Sequence, residues 1–197
     1  MRLLTNLQRA LLPAVAVMLA APSGCGDGPL PTTTVEQPGK PAVTVSLASV
    51  SLGGDCGGAK APPAAGICAM GSDCGPTPCQ QSSVQLKISA TDGNGSVALQ
   101  VTAVRVRDEG NSAEVDQLTA RDPQKWSSGS YVTWDQTIAP KDDFTATYKT
   151  TAPDWSQLSA RIGGVQPTYR VEVDLSIDGK TRTITIDGVT RAAPIST

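Results

Sequence analysis

The stretch PTYRVEVDLSIDGKTRTITIDG (residues 167–188) decides the fold of this chain. Its first half carries apolar side chains at every second position: Tyr169, Val171, Val173, Leu175 and Ile177. The residues between them are charged or polar, and this period of two is typical of a β-strand with one buried face. Asp178-Gly179 is a turn signal, and residues 180–188 return to the alternation. The stretch therefore predicts a β-hairpin that faces a core.

Similar patterns predict strands along the rest of the chain. They are SVQLKISATD (83–92), VALQVTAVRV (97–106), YVTWD (131–135) and DFTATYKTT (143–151), with SAEVDQLTA (112–120) as a shorter candidate. The first two are joined by GNGS, which predicts a second hairpin. In AVTVSLASVSL (42–52) the apolar residues change parity after Leu47, which indicates a β-bulge or a strand that passes between sheets.

These segments predict an all-β fold of seven or eight strands. Only WSQLSARI (155–162) has helical character, and it is too short for more than a turn or two. Short strands with turn signals about every ten residues are typical of an immunoglobulin-like β-sandwich, which we place at residues 42–190, with 191–197 as a C-terminal tail. Trp134 and Tyr169 fall at strand positions and are expected in its core.

Residues 1–24 have the features of a signal peptide. Arg2 and Arg9 accompany the apolar run ALLPAVAVMLAA (10–21), which is shorter than the roughly 20 residues of a membrane-spanning helix. The segment ends in APSGC, which resembles the lipobox of bacterial lipoproteins, where a peptidase cleaves before a cysteine that carries lipid. Pro22 departs from the pattern of that family, which favours an aliphatic residue at this position.

The resemblance implies that Cys25 is lipidated and attaches the mature chain to a membrane. Gly26 after the cysteine implies sorting to the outer membrane of a bacterial cell envelope. Ordinary signal cleavage near Ala21 or Ser23 would leave Cys25 as a thiol, but the five cysteines are an odd number, and lipidation leaves four for pairing. Residues 25–41, rich in Pro, Gly and Thr, predict a flexible tether. The whole arrangement is similar to that of small bacterial lipoproteins and implies a location rather than an activity.

The other four cysteines, Cys56, Cys68, Cys74 and Cys79, lie in a loop (residues 53–82) between the first two predicted strands. Their spacing contains no C-x-x-C pair, which argues against a zinc ribbon or a thioredoxin-like redox site. An exported chain meets an oxidising compartment, so we expect two disulfides. Cys56–Cys79 would close the base of the loop, with Cys68–Cys74 inside it. The alternative is Cys56–Cys68 with Cys74–Cys79.

The composition excludes several chemistries. The chain has no histidine, which removes Ser-His-Asp and Cys-His nucleophile systems and the HExxH zinc proteases. Its formal net charge is −2, and no basic cluster interleaves with aromatic residues, so nucleic-acid binding has no support. DGNGS (92–96) resembles the start of an EF-hand loop, but Val97 replaces the required glycine and Ala103 the glutamate. We therefore expect no cofactor and no metal.

These exclusions favour a non-catalytic binding or structural module with an unidentified protein or glycan partner. The alternative is a carbohydrate-binding module or a hydrolase that uses carboxylates. Trp155 and Trp126 are the candidate binding residues, because both lie in predicted connecting segments. Trp155 could instead pack beneath the cysteine loop as a local core, since an immunoglobulin strand order brings that loop and residues 152–167 to one end of the sandwich.

Overall fold

The computed structural model describes residues 29–56, 79–110, 112–155 and 167–192. Within these ranges the chain is all-β, with no helix and two antiparallel sheets. The eleven strands are β1 (Thr32–Val35), β2 (Val43–Ser51), β3 (Ser83–Ala90), β4 (Val97–Asp108), β5 (Glu114–Leu118), β6 (Ala120–Ser127), β7 (Ser130–Thr133), β8 (Thr137–Ile138), β9 (Asp143–Thr150), β10 (Thr168–Ile177) and β11 (Lys180–Thr190). Of the segment predicted to have helical character, only Trp155 is among the described residues.

The strand order is that of an immunoglobulin-like sandwich. One sheet has the order β1-β2-β3-β9-β6-β7, and the other has β11-β10-β4-β5, with β8 paired to β4. The inner strands β2-β3-β9-β6 and β11-β10-β4 correspond to the ABED and CFG sheets of that fold. The predicted fold class is therefore confirmed. The strand count exceeds seven or eight because the sequence patterns did not indicate β1, β6 and β8, and the cysteine loop consequently follows the second strand.

The hairpin predicted for residues 167–188 is confirmed. β10 and β11 pair in register around a two-residue turn, with Ile177 opposite Lys180. Asp178 and Gly179 have φ angles of 48° and 80°, the left-handed values that a type I′ turn requires. The apolar face of β10 is buried against the other sheet, and Tyr169 and Trp134 both lie in the core, as predicted.

The hairpin predicted for residues 83–92 and 97–106 is wrong. β3 pairs with β2 on one side and β9 on the other, whereas β4 pairs with β10 and β5 in the opposite sheet. The connection therefore crosses between the sheets. It packs closely against the chain before β2, because a Cβ atom added to Gly93 would lie 2.3 Å from the backbone nitrogen of Pro41. The GNGS turn signal is a local feature, but the pairing partners of β3 are distant in sequence.

The change of parity in β2 reflects a β-bulge, as predicted. Leu47 lies opposite Leu86 and Ser49 opposite Gln85, so Ala48 is the extra residue. Beyond the bulge, Leu52 is buried and forms a parallel bridge with Arg191, which follows β11. The bulge thus changes the parity of β2 while the strand stays paired with β3 as far as Ser51, and Leu52 beyond it reaches the edge of the other sheet.

The tether predicted for residues 25–41 is corrected for residues 32–41, which belong to the sandwich. Residues 32–35 form β1, whose three threonines and one valine are β-branched and favour a strand. Lys40 forms an ion pair with Asp178 at 2.6 Å (Nζ to Oδ2), and Lys180 Nζ donates to the carbonyl of Glu36 at 3.0 Å. The segment is therefore docked on the β10–β11 turn, despite its content of proline and glycine.

Substituting Lys40 should raise the pKa of Asp178. The hydrogen bond from Lys40 holds the pKa of this carboxyl below its ordinary value of 3.8. A group with a lowered pKa in the folded state stabilises that state above its unfolded pKa and loses this contribution as the pH falls through the folded value. We expect Lys40→Met to shift the Asp178 carboxyl titration, followed by NMR, toward the ordinary value. Lys141→Met is the matched control, and an unchanged Asp178 titration in Lys40→Met would contradict the docking of residues 36–41.

Candidate functional site

A disulfide closes the base of the cysteine loop. Cys56 and Cys79 are bonded, with their Cα atoms 5.7 Å apart, so the predicted pairing of these two residues is confirmed and the alternative for them is wrong. Cys68 and Cys74 lie outside the described residues, as does Cys25. A cross-link over 23 residues of sequence stabilises a domain mainly by restricting the unfolded chain.

Backbone and side-chain hydrogen bonds hold the two ends of the loop together. Gly54 N donates to the carbonyl of Gln80 at 2.7 Å, and Ser82 N donates to the carbonyl of Gly54 at 2.9 Å. Gly53 N donates to the buried hydroxyl of Ser82 at 2.9 Å. A side chain at Gly53 has no space, because an added Cβ would lie 2.2 Å from Gln80 O. Residues 53–56 and 79–82 thus form a short clamp that fixes the disulfide to the end of the sandwich.

Trp155 packs against this clamp. Its Nε1 donates to the carbonyl of Gly53 at 3.0 Å, and its ring meets Tyr169 edge-on at 6.1 Å between centroids. The guanidinium of Arg191 lies over the ring at 4.5 Å from its centroid. The side chain is half-buried and packs against the main core. These contacts occupy the indole nitrogen and cover the ring, so the geometry favours a structural role for Trp155 over ligand contact.

Trp126, by contrast, lies on an exposed hairpin. β6 and β7 are joined by Ser128-Gly129, whose φ angles of 50° and 88° form a type I′ turn. Trp126 is 49% exposed, and Tyr131, directly opposite it, is 38% exposed, with the two rings edge-to-face at 5.0 Å. Val132 is 40% exposed. We call Trp126, Tyr131 and Val132 the β6–β7 surface.

The β6–β7 surface presents apolar side chains on both faces of the sheet. Tyr131 lies on the outer face, where its hydroxyl accepts a hydrogen bond from Gln85 Nε2 on β3 at 3.2 Å. Val132 is opposite Lys125, which is itself opposite the buried Ala146, and therefore lies on the other face. Among the described residues, only Leu30 is another exposed large hydrophobic side chain. Trp126 and Tyr131 adjoin each other on the outer face, and we take this edge as the candidate interaction site for that reason.

The sequence patterns did not indicate β6 because Pro123 interrupts it. The register of β6 with β9 shifts between Arg121 and Gln124, and Asp122 has a φ of 48°. A proline is tolerated at such a bulge, since no ladder hydrogen bond is required from it. The Ser128-Gly129 turn signal, flanked by Trp126 and Tyr131, is the local feature that could have revealed the hairpin.

The outer face of the other sheet carries paired charges. Arg105 donates to Asp174 (2.9 Å from Nη2 to Oδ1) and to Glu172 (3.1 Å), and Arg107 binds Glu172 and Glu114, both at 3.1 Å. Hydrogen bonds from Arg105 to Asp174 and Glu172 raise the pKa of the guanidinium. The carboxylates of this network already accept hydrogen bonds across β4, β5 and β10, so the geometry favours a structural function for them.

In the described ranges, no three His, Cys, Asp or Glu side chains are grouped so as to hold a metal ion.

Comparisons with protein-family models, with curated proteins and with solved structures find no match to this chain. The described part of the chain also contains no helix that could cross a membrane. The β6–β7 surface therefore stands on its geometry alone as the candidate site.

The two tryptophans should differ sharply in their effect on stability. Trp155→Phe keeps a ring but leaves the carbonyl of Gly53 without its donor, and we expect a loss of about 1 to 3 kcal/mol in the free energy of unfolding. Trp126→Ala should cost less, no more than about 1 kcal/mol, since it removes mainly one cross-strand aromatic pair. Urea unfolding of the full chain measures both. Equal losses would contradict the assignment of Trp155 to structure and Trp126 to the surface.

Proposed function

We propose that this chain is a lipoprotein anchored through Cys25 to the outer membrane of a bacterial cell envelope, with its sandwich acting as a non-catalytic binding module. The observation that carries the binding role is the β6–β7 surface. Trp126 and Tyr131 are exposed side by side on the outer face of the sheet, and Val132 is exposed on its other face. Exposed aromatic residues of this kind are the usual anchors of binding surfaces.

The anchor is supported by the APSGC segment and by the cysteine count. The Cys56–Cys79 bond uses two of the five cysteines. Three remain, and because this number is odd, at least one of them is left for a role other than pairing within the chain. Because β1 begins at Thr32, only six residues lie between its start and Cys25. Even fully extended, the seven Cα–Cα steps from Cys25 to Thr32 reach about 25 Å. The sandwich would thus sit close to the membrane instead of at the end of a long tether.

A glycan partner is the second candidate. Trp126 and Tyr131 place ring surface beside the amide of Gln85, which also accepts a hydrogen bond from Ser49 at 3.0 Å. Rings combined with an amide suit ligands that have both apolar faces and hydroxyl groups. This surface is therefore the site at which a carbohydrate-binding module would engage its ligand.

Removing the proposed lipidation site should release the protein from the membrane. We expect the unaltered chain in the membrane fraction of a bacterial host and Cys25→Ala in the soluble fraction, because the variant lacks the sulfur that carries the lipid and ordinary signal cleavage near Ala21 or Ser23 would release the chain. Mass spectrometry of the mature N-terminus is the accompanying measurement. A soluble unaltered chain with its mature N-terminus before Cys25 would contradict the anchor.

Binding to the partner should depend on the β6–β7 surface. With the full chain as probe on a glycan array and on solubilised envelope proteins, Trp126→Ala should weaken the bound interaction by at least about tenfold, as anchor residues do. Thr185→Ala, on the exposed side of β11, is the matched control and should bind normally. Equal binding by the two variants would contradict this surface. Turnover of a chromogenic ester or glycoside that a single carboxylate substitution abolishes would contradict the non-catalytic role.

A further inference from the structure

The outer edge of β7 has backbone groups without a strand partner. β7 is the last strand of its sheet. The two-residue turn makes Ser127 and Ser130 a hydrogen-bonded pair, and Trp134 N donates to Pro123 O at 3.0 Å. Even-numbered residues of β7 thus bond toward β6. By the same alternation, the N–H and C=O groups of Tyr131 and Thr133 point away from β6, to the open edge within the described structure.

Apart from its short length, β7 lacks the features that normally protect an edge. Natural edge strands are kept very short, carry charges, prolines or bulges, or are covered by other parts of the chain. β5 has Glu114 and Asp116, and β11 has Lys180, Arg182 and Asp187. β1 is flanked by prolines and contacts β11. β7, with the sequence SYVT, has neither charge nor proline, and all four of its residues are exposed. An open, uncharged edge with apolar side chains on both faces fits an extended strand as its partner.

The edge is complementary to itself. In an antiparallel pair of two β7 strands, Tyr131 of each copy can lie opposite Thr133 of the other, which joins all four outward N–H and C=O groups of each strand in hydrogen bonds. Val132 then lies opposite Val132 on the two-fold axis, as a closely spaced non-hydrogen-bonded pair. The two Tyr131 rings are diagonal neighbours on the outer face, within reach of aromatic side chains. No like charges of β7 meet in this register.

We propose that β7 pairs antiparallel with β7 of a second copy of this chain, about a two-fold axis at Val132, so that one sheet runs continuously through both copies. This inference rests on the proposed role of the β6–β7 surface as a binding surface and adds a second copy of the chain as the occupant of its open edge. A strand of four residues buries less than the roughly 1,200 Å² of a stable interface, so the association is weak in solution. Anchoring of both copies in one membrane would raise their local concentration and favour the pair.

Sedimentation of full chains carrying Cys25→Ala tests the pairing without a contribution from lipid. The mass should rise from one copy toward two between about 1 µM and about 1 mM, the range of weak complexes. Adding Val132→Lys or Val132→Glu places like charges on the axis and should weaken association more than about tenfold. An equimolar mixture of the two variants should associate again, because opposite charges then meet. Thr185→Lys and Thr185→Glu are the matched controls and should behave as the parent chain does.

A parent chain that stays monomeric over this range would overturn the pairing, and so would a mixture of the Val132 variants that does not associate. Thr133→Pro gives a second route if a charged variant does not fold, because it removes an outward N–H and leaves the bonds to β6. Association unchanged by Thr133→Pro would also overturn the proposal. Binding of glycans or envelope proteins by Trp126→Ala is measured at a concentration at which the chain is monomeric. Failure of the pairing and failure of the binding surface are therefore distinguishable.

Discussion

The two sheets bury alternate side chains against each other, and the rest of the chain accommodates that alternation. Leu86 on β3 and Val173 on β10 are fully buried, as are their neighbours two positions away along each strand. A slip of one residue in either strand would turn every one of these side chains toward solvent. The bulge at Ala48 is compatible with this constraint because β2 stays paired with β3 on both sides of it. The change of parity turns Leu52, just beyond the end of β2, toward the core, where it is buried.

The two sides of the sandwich are closed to different degrees. On one side, Leu52 bridges to Arg191, Ala192 N donates to Leu52 O at 2.8 Å, and β1 contacts β11. At one end, the disulfide and Trp155 fasten the cysteine loop to the core. On the other side, β5 continues through Thr119 into β6 and so joins the two sheets, but β7 lies beyond β6 as an edge with no further strand partner among the described residues. Packing and recognition are therefore assigned to different tryptophans: Trp134 and Trp155 support the structure, and Trp126 lies where a partner can reach it.

The features that could be predicted from the sequence depend on local signals. The β10–β11 hairpin has alternation and a turn dipeptide within one stretch, and the Cys56–Cys79 bond was predicted from an expected oxidising compartment and from closure at the base of a loop. The assumed β3–β4 hairpin failed because a turn signal does not specify which strand lies alongside. β3 pairs with β9, more than fifty residues away in sequence, because this pairing buries the apolar faces of both strands in the core. β1 was missed because the prolines on either side of it give residues 26–41 the composition of a linker, and β6 because Pro123 interrupts it.

The candidate site could be predicted only in part, for a related reason. Trp126 and Trp155 both fall in segments whose sequence indicates exposure. Their environments differ because Gly53 and Arg191 come from distant parts of the chain to cover Trp155, whereas Trp126 has only Tyr131, its close neighbour across the turn. Exposure of a single side chain is a property of tertiary packing, and local composition carries little information about it.

The claim that β7 is an open edge underlies both the binding role and the pairing of two copies. Amide hydrogen exchange of the dilute chain, measured by NMR for residues 131–134, tests it most directly. The structure predicts slow exchange for Val132 and Trp134, whose N–H groups bond to β6, and fast exchange for Tyr131 and Thr133, whose N–H groups face solvent. Equal protection of all four amides in the dilute monomer, or protection of Tyr131 and Thr133 alone, would contradict the account.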